Sequence, residues 1–170
     1  AEHAGKAFLR ADAGEALRQI SVTATMHPTT GKLLAACQQR EASVAWTDAA
    51  TGVPCKARAD GMAPGILVDL KTCRDASPDA FARDFRSLRY DIQFAHYRAG
   101  LAAVGSDVED VAVIAIETQA PYAVAVYRVA DNWLIAAEER RQRLLEQIAE
   151  ARATGVWPTY PQDVIELPMP

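Results

Sequence analysis

The chain has 170 residues, of which 50% are hydrophobic and 24% charged, and its formal net charge is −4. This is the composition of one globular domain with its own core. Apolar runs stay far below the ~20 residues of a membrane-spanning helix, and the chain does not start with the apolar stretch of a signal peptide. We therefore expect a cytoplasmic protein without a membrane partner.

The first half of the chain has the pattern of two helices followed by three strands. Residues 12–26 show helical spacing of apolar side chains with Asp12 as a candidate N-cap, and Pro28 begins a second short helix. The segment REASVAWTD alternates like a strand, and two further strands are expected at residues 53–61 and 65–72. Three strands in immediate succession predict an antiparallel meander.

The second half begins with a helix start at Ser77, whose side chain can cap the helix ahead of Pro and Asp. A further helix is expected at residues 91–104, and the apolar strands VAVIAIET and YAVAVYRVA precede a long helix at residues 131–152. The irregular tail carries Trp157 and Tyr160, which we expect to pack on the body of the domain. Residues 1–170 thus predict a single α/β domain with a central mixed sheet flanked by helices.

The hairpin CKARADGMAPGILVDLKTC places charges where strands normally bury apolar side chains. Asp69 and Lys71 project from one face, and a turn centred on Pro64 and Gly65 puts Asp60 opposite Asp69, with β-carbons roughly 5 Å apart. Two carboxylates so close require a cation. Lys71 is one such cation, but a divalent metal such as Mg²⁺ balances the repulsion better. A register slip of one residue would move Asp60 to the other face.

These charges predict metal-assisted phosphodiester hydrolysis. A metal held by Asp60, Asp69 and the main-chain carbonyl of Leu70 can bind a phosphodiester oxygen and lower the pKa of a bound water. Lys71 can orient that water and stabilise charge developing on the phosphate. Alone, the Asp-x-Lys triplet is a weak signal, because such triplets arise by chance and an aspartate near a turn is usually a turn residue.

Other residues could extend the site. Gln93 and Tyr97 share a helix face at i,i+4 spacing, and Glu41 stands where the second helix gives way to the first strand. The structural alternatives are that Tyr97 belongs to the core and that Gln93 and Glu41 are ordinary solvated side chains. For His96, next to Tyr97, we expect a surface or packing role.

A basic surplus lies in the middle of the chain, where residues 54–98 hold eight Lys/Arg against six Asp/Glu. Lys56 and Arg58 share a strand face with Asp60 and could contact phosphates of DNA. Arg89 follows Arg83 and Arg86 at roughly helical spacing. A solvated helix face explains these three arginines as well as a contact with DNA does. The surplus gives weak support for a nucleic-acid partner.

The ordered set of Glu41, Asp60, Asp69-Leu70-Lys71 and Gln93-x-x-x-Tyr97 resembles the PD-(D/E)XK nuclease superfamily, in its RecB-type branch with the Gln-x-x-x-Tyr motif. The closest similarity is to C-terminal nuclease domains of the RecE (exonuclease VIII) type and their phage relatives. The stretches VDLKTCRDASPDAFARDFRSLRYDIQFAHYRAG and ETQAPYAVAVYRV also resemble that family. The similarity extends from about His27 to the end of the chain.

The resemblance implies a restriction-endonuclease-like core with a two-metal Mg²⁺ or Mn²⁺ site. It also implies a bacterial or phage-encoded hydrolase that degrades linear double-stranded DNA from its ends, 5′ to 3′, during DNA recombination. The partners implied are an annealing protein and, by analogy, further copies in a homo-oligomeric ring. The resemblance assigns its site residues as follows: Asp60 and Asp69 as metal ligands, Lys71 as the catalytic lysine, Glu41 as a metal-site acid, and Gln93 and Tyr97 as residues that orient the lysine or the DNA end.

One family element is missing from the pattern. The family has an upstream helix with a Gly-x-x-His-like motif whose His contributes to the metal site, and His3 lies in no such context. We therefore expect a domain that lacks this His-bearing helix. Besides the exonuclease, two alternatives remain open: an endonuclease of the same core, and a truncated or degenerate domain that binds DNA or an annealing protein without cutting. The spacing of the three cysteines argues against an iron–sulfur nuclease.

Overall fold

The computed structural model describes residues 10–166, which form helices and strands in the predicted order. The helices are α1 (Ala11–Met26), α2 (Pro28–Ala36), α3 (Pro78–Ser87), α4 (Tyr90–Ala103) and α5 (Asp131–Thr154). The strands are β1 (Gln39–Thr47), β2 (Pro54–Ala63), β3 (Ile66–Cys73), β4 (Asp110–Glu117) and β5 (Val124–Arg128).

The five strands form one mixed sheet in the order β1-β2-β3-β4-β5. The first three make an antiparallel meander, β4 pairs parallel to β3, and β5 returns antiparallel to β4. A parallel neighbour requires a crossover, and the segment holding α3 and α4 supplies it. This confirms the α/β fold with a central mixed sheet and an antiparallel three-strand meander, consistent with a restriction-endonuclease-like fold.

Helices cover both faces of the sheet because side chains alternate along the buried central strands. In β4, Val113 packs with Phe94 of α4 in one core cluster, which also takes in side chains of α3 and α5. The next residue, Ile114, packs in a second cluster with Ala24 of α1. The site strands β2 and β3 therefore lie between an α1–α2 layer and an α3–α4–α5 layer.

Two local expectations were wrong, and a third was confirmed in position only. The N-cap of α1 is Arg10, with Asp12 inside the first turn, whereas Ser77 is the N-cap residue of α3 as predicted but makes no side-chain capping hydrogen bond. Trp157 and Tyr160 are 55% and 93% exposed, so they do not pin the tail to the domain. After Gly155 ends α5, residues 156–166 are exposed throughout and meet no apolar surface that would hold them.

Within residues 10–166, no helix is both long and apolar enough to cross a bilayer. The three cysteines are free thiols, with Cys73 buried and Cys37 and Cys55 half-buried.

Candidate active site

The β2–β3 hairpin turns through Pro64 and Gly65, and Gly65 adopts a positive φ of 71° that suits glycine. The ladder pairs Ala63 with Ile66, Met62 with Leu67 and Gly61 with Val68, which is the predicted register. It stops there, however, so Asp60 and Asp69 do not form the cross-strand pair we expected. Instead, the carboxylate of Asp60 accepts a hydrogen bond of 2.9 Å from the main-chain N–H of Leu70. A side chain thus satisfies an amide that the separating strands leave without a ladder partner.

The β1–β2 ladder is also interrupted at the level of Asp60. Glu41 has a positive φ of 52°, which is unusual for a residue with a β-carbon. Pairs of the β1–β2 ladder flank this position, but Glu41 and Asp60 themselves are not paired. Before Glu41, the Arg40 side chain donates to the Leu34 carbonyl of α2 at 3.0 Å. After Glu41, Ala42 packs with the core cluster that includes α4. Arg40 and Ala42 therefore lie on opposite faces of the sheet.

Asp60 and Glu41 line a common cavity of about 700 Å³ between the sheet and helices α1 and α2. Asp69 lies toward α4, so the two aspartates approach the gap between β2 and β3 from different sides. Their charges still interact, since Asp60 contributes to raising the pKa of Asp69.

Asp69 and Lys71 form an ion pair that is almost closed to solvent. Asp69 is 1% exposed, and the Lys71 ammonium lies 2.6 Å from its Oδ2. The same ammonium lies 4.7 Å from the ring centroid of Tyr90 and 5.7 Å from that of Phe94, both on α4. A carboxylate and two aromatic faces thus fix the position of the Lys71 Nζ atom.

The ionisation of Asp69 reflects opposing influences. Its pKa is raised to about 6, mainly by burial; the Lys71 ammonium lowers the pKa and the charge of Asp60 raises it. Within residues 10–166, the partner of Oδ2 is the Lys71 ammonium at 2.6 Å, and no hydrogen-bond donor besides it reaches this oxygen. A buried carboxylate is favourable only beside a cation, and Lys71 supplies that charge here.

The pair Gln93 and Tyr97 lies beside this carboxylate. Gln93 Nε2 is 3.4 Å from Asp69 Oδ1 and donates to the Tyr97 hydroxyl at 2.9 Å. Burial raises the pKa of Tyr97, which therefore stays protonated at neutral pH. The shared face predicted from i,i+4 spacing is present, and it brings Gln93 to Asp69 and Tyr97 to Gln93.

The remaining predicted residues are less closely gathered. Glu41 pairs with Arg58 at 2.9 Å, both side chains being well exposed. Lys56 and Arg58 line a groove of about 560 Å³ that also includes Tyr97. Arg89 lies at the α3–α4 junction, where its guanidinium binds a buried carboxylate.

His96 takes the packing role that we expected for it. Its ring centroid lies 4.7 Å from that of Trp46, and Nε2 is 3.2 Å from the main-chain oxygen of Lys56. The imidazole therefore packs between α4 and the first two strands.

The family comparison adds to this geometry. The family model described as "PDDEXK-like domain of unknown function (DUF3799)" matches residues 2–165. The chain belongs to this PDDEXK-like family. No curated protein matches the sequence at a significant level.

Among solved structures, the PDDEXK-like domain is similar to a protein from Eubacterium rectale named a "putative exonuclease", with a TM-score of 0.65 and 19% identity. The match covers 98% of this chain and 66% of the other, so the chain spans about two thirds of that structure. At this identity the likeness concerns the fold.

PDDEXK nucleases generally use divalent metal ions. In residues 10–166, no three His, Cys, Asp or Glu side chains converge on a metal position. Two carboxylates lie beside the gap between β2 and β3: Asp69, with the Lys71 ammonium 2.6 Å from its Oδ2, and Asp60, which accepts a hydrogen bond from the Leu70 amide. Mg²⁺ commonly takes one or two carboxylates and completes its coordination with waters and phosphate oxygens. The donor set of this PDDEXK-like domain therefore suits such an ion.

The aromatic residues around the Lys71 ammonium were not predicted from the sequence. Tyr90 and Phe94 were not among the predicted site residues, yet the Lys71 ammonium lies 4.7 Å and 5.7 Å from their ring centroids. Tyr90, Gln93, Phe94 and Tyr97 follow i, i+3, i+4, i+7 spacing, which places all four on one helix face. That spacing was the available signal, although it does not show which strand the face meets.

Proposed function

We propose that this PDDEXK-like domain is a metal-dependent exodeoxyribonuclease of the RecE (exonuclease VIII) type, with a functional Gln-x-x-x-Tyr motif. Its substrate is linear double-stranded DNA, which it degrades from the ends in the 5′ to 3′ direction. The observation that carries the proposal is the buried Asp69–Lys71 pair, with Asp60 at Leu70 and Gln93 at Asp69. Family membership supports nuclease chemistry, and the fold neighbour's name is consistent with an exonuclease.

In this proposal, Asp60, Asp69 and the main-chain carbonyl of Leu70 hold Mg²⁺ or Mn²⁺. When bound, the ion supplies Lewis-acid activation of the phosphate and a water of lowered pKa. Lys71 holds its ammonium beside the scissile phosphate, where it orients the attacking water and stabilises the developing negative charge. Gln93 donates toward Asp69 and so holds the carboxylate in its binding orientation.

The DNA contacts follow from charge and position. Lys56 and Arg58 line the groove next to Tyr97 and suit phosphates of the bound strand. Arg89 is a further candidate for a phosphate contact, since its side chain is 47% exposed. Glu41 lines the same cavity as Asp60 and is paired with Arg58. It would join the metal site once this ion pair is broken. The resemblance adds a role in bacterial or phage DNA recombination, with an annealing protein as partner and a ring of identical copies around DNA.

The decisive experiment compares end-labelled linear and closed circular duplexes, with Mg²⁺ or with EDTA. We expect degradation of the linear duplex only, dependent on Mg²⁺, with a loss of at least ~100-fold in Lys71→Ala because its charge at the transition state is removed. Lys32→Ala is the matched control, since Lys32 is exposed on α2 and is expected to leave the rate unchanged. Equal degradation by wild type and Lys71→Ala would overturn the assignment of the site.

Two other outcomes identify the alternatives. Cutting of closed circles would replace the exonuclease by an endonuclease of the same core. Binding of the duplex without Mg²⁺-dependent cutting would leave a DNA-binding domain. The latter is the second candidate, because within residues 10–166 no three His, Cys, Asp or Glu side chains converge on a metal position.

A further inference from the structure

Asp91 is a fully buried carboxylate outside the proposed site. Its exposure is 0%, and its two oxygens accept hydrogen bonds from two guanidinium groups. Arg89 donates from Nε to Oδ1 and from Nη2 to Oδ2, both at 3.1 Å, and Arg140 of α5 donates from Nη1 to Oδ2 at 3.0 Å. Burial alone would raise the pKa of Asp91, but these bonds and the Ile92 amide hold it below its usual value. Asp91 is therefore charged and held from two directions.

One of these partners, Arg89, forms the junction between α3 and α4. Its backbone is left-handed, with φ 55° and ψ 43°, a conformation disfavoured for a residue with a β-carbon. The bidentate pair with Asp91, two residues later, offsets this strain by fixing the guanidinium against the first turn of α4. The other partner, Arg140, ties the same carboxylate to α5. Asp91 thus connects the start of α4 to both flanking elements.

The first turns of α4 present two different faces. Tyr90, Gln93 and Tyr97 share the face that meets Asp69 and Lys71 on β3. Asp91 lies about 200° from Gln93 around the helix, as i,i+2 spacing requires, and bonds to α5. A rotation of α4 by about 10° would move the tip of a side chain near the ~5–6 Å outer radius of the helix by about 1 Å. Because Gln93 already lies 3.4 Å from Asp69 Oδ1, such a shift would separate them.

We propose that Asp91, held by Arg89 and Arg140, is a positioning residue that sets the rotation of α4 and thereby keeps Gln93 on the carboxylate of Asp69. This inference rests on the proposed nuclease function. It assigns to Asp91 an effect on the reaction through Gln93, without contact to DNA or metal. It also gives Arg89 a structural role beside its candidate contact with DNA.

The chain contains a matched control for this carboxylate. Asp48 is also buried, at 6% exposure, and pairs with Arg141, the residue after Arg140 on α5, at 3.3 Å. Asp48 bonds to Thr51 and Arg141, and neither is a candidate site residue. Asp48→Asn and Asp91→Asn therefore each remove the charge of a buried aspartate that pairs with an arginine of α5, and only Asp91 lies on α4, the helix that carries Gln93.

The test measures kcat and KM on linear duplex for Asp91→Asn, Asp48→Asn, Gln93→Ala and the Asp91→Asn/Gln93→Ala double variant. We expect Asp91→Asn to lower kcat about 10- to 100-fold with KM nearly unchanged, because a displacement of about 1 Å at a supporting residue has effects of that size. Asp48→Asn should stay within about threefold of wild type. In the Gln93→Ala background, Asp91→Asn should lower kcat by less than a further factor of about two, because its effect acts through Gln93. Equal effects of the two aspartate variants, or multiplicative effects in the double variant, would overturn the inference.

A second set of variants tests the inference even if Asp91→Asn fails to fold. Arg140→Met removes only the α5 partner and should lower kcat, whereas Arg140→Lys should restore part of it by keeping the charge. Arg143→Met, an exposed residue on the same helix, is the control and should leave kcat unchanged. Unchanged kcat in Arg140→Met, or no recovery in Arg140→Lys, would contradict the positioning role.

Calorimetric titration with Mn²⁺ in the absence of DNA separates this inference from the proposed function. We expect Asp91→Asn and Gln93→Ala to weaken Mn²⁺ binding by a common factor of about ten, and Asp48→Asn to leave it unchanged. A wild-type protein that binds Mn²⁺ but does not cut DNA would refute the nuclease proposal alone. An active wild type whose Mn²⁺ affinity is unaffected by Asp91→Asn would refute the positioning role alone.

Discussion

At Asp69, burial and a neighbouring ammonium act in opposite directions on one carboxyl group. Burial is the larger influence, so the pKa rises from the ordinary 3.8 to about 6 despite the contact with Lys71. The shift corresponds to a cost on the order of 3 kcal/mol for the ionised form in the metal-free protein. A divalent cation would remove that cost by binding the carboxylate. The site is thus held in an electrostatically unfavourable state that its proposed ligand relieves.

The raised pKa of Asp69 predicts a specific pH dependence of stability without metal. Because the folded-state pKa of about 6 lies above the unfolded value, this group's contribution is fully present below about pH 4 and is lost as the pH rises through 6. The unfolding free energy, measured by urea unfolding in EDTA, should therefore fall more (or rise less) between pH 4.5 and pH 7 in wild type than in Asp69→Asn.

Asp79→Asn is the control for this measurement, because Asp79 is exposed in the first turn of α3 and should keep the wild-type pH dependence. Identical pH dependence in Asp69→Asn and wild type would show that Asp69 titrates as an ordinary exposed carboxyl group.

At the scale of elements, α4 is the helix that organises the site. It carries Tyr90 and Phe94 under Lys71, Gln93 beside Asp69, and Gly100 against Trp46 of β1. A β-carbon added at Gly100 would lie 2.4 Å from an atom of the Trp46 ring, so the glycine sets how closely α4 approaches the sheet. The helix is fixed at one end by Asp91 and at the other by this close contact.

The close packing at Gly100 predicts that Gly100→Ala destabilises the fold by about 1–3 kcal/mol, because the Trp46 ring must move away from its tilted contact with the His96 ring. Chemical denaturation measures the loss. Gly14→Ala is the matched control in α1, where an added β-carbon meets nothing within 4 Å. That change should leave stability unchanged or raise it by up to about 1 kcal/mol. A neutral Gly100→Ala would mean that α4 has room to shift on β1.

At the scale of the whole molecule, the candidate site lies where the sheet separates two helical layers. The α1–α2 layer covers the cavity holding Asp60 and Glu41, and the layer of α3, α4 and α5 covers Asp69 and Lys71. An ion bound by Asp60 and Asp69 would therefore connect β2 to β3 where their ladder stops. Such an ion would raise the free energy of unfolding of the domain.

This location predicts that Mg²⁺ stabilises the native state. At 10 to 100 times its dissociation constant, Mg²⁺ should raise the unfolding free energy by about 1–3 kcal/mol, and EDTA should reverse the gain. Asp60→Asn should abolish it while keeping the fold, because the Asn oxygen can still accept the hydrogen bond from Leu70. Thermal melting with and without Mg²⁺ gives the comparison. Equal stabilisation of both proteins would place the ion elsewhere.

The sequence alone determined the elements and the sheet class, and its resemblance to known nucleases indicated the superfamily. The elements and sheet class depend on local periodicity and on turn residues such as Pro64 and Gly65. It also predicted that Asp69 and Lys71 share a face and that Gln93 and Tyr97 share another. Alternation along a strand and helical repeat are sufficient for such statements.

Only the tertiary structure decided which of these faces meet. The β2–β3 ladder ends at Gly61 and Val68, so the Asp60 carboxylate bonds to the Leu70 amide instead of forming a cross-strand pair with Asp69. The environment of Lys71 and the buried Asp91 pair likewise depend on the approach of α4 to β3 and α5. Such contacts join residues far apart in sequence, and their geometry comes from packing between layers, which local patterns do not encode.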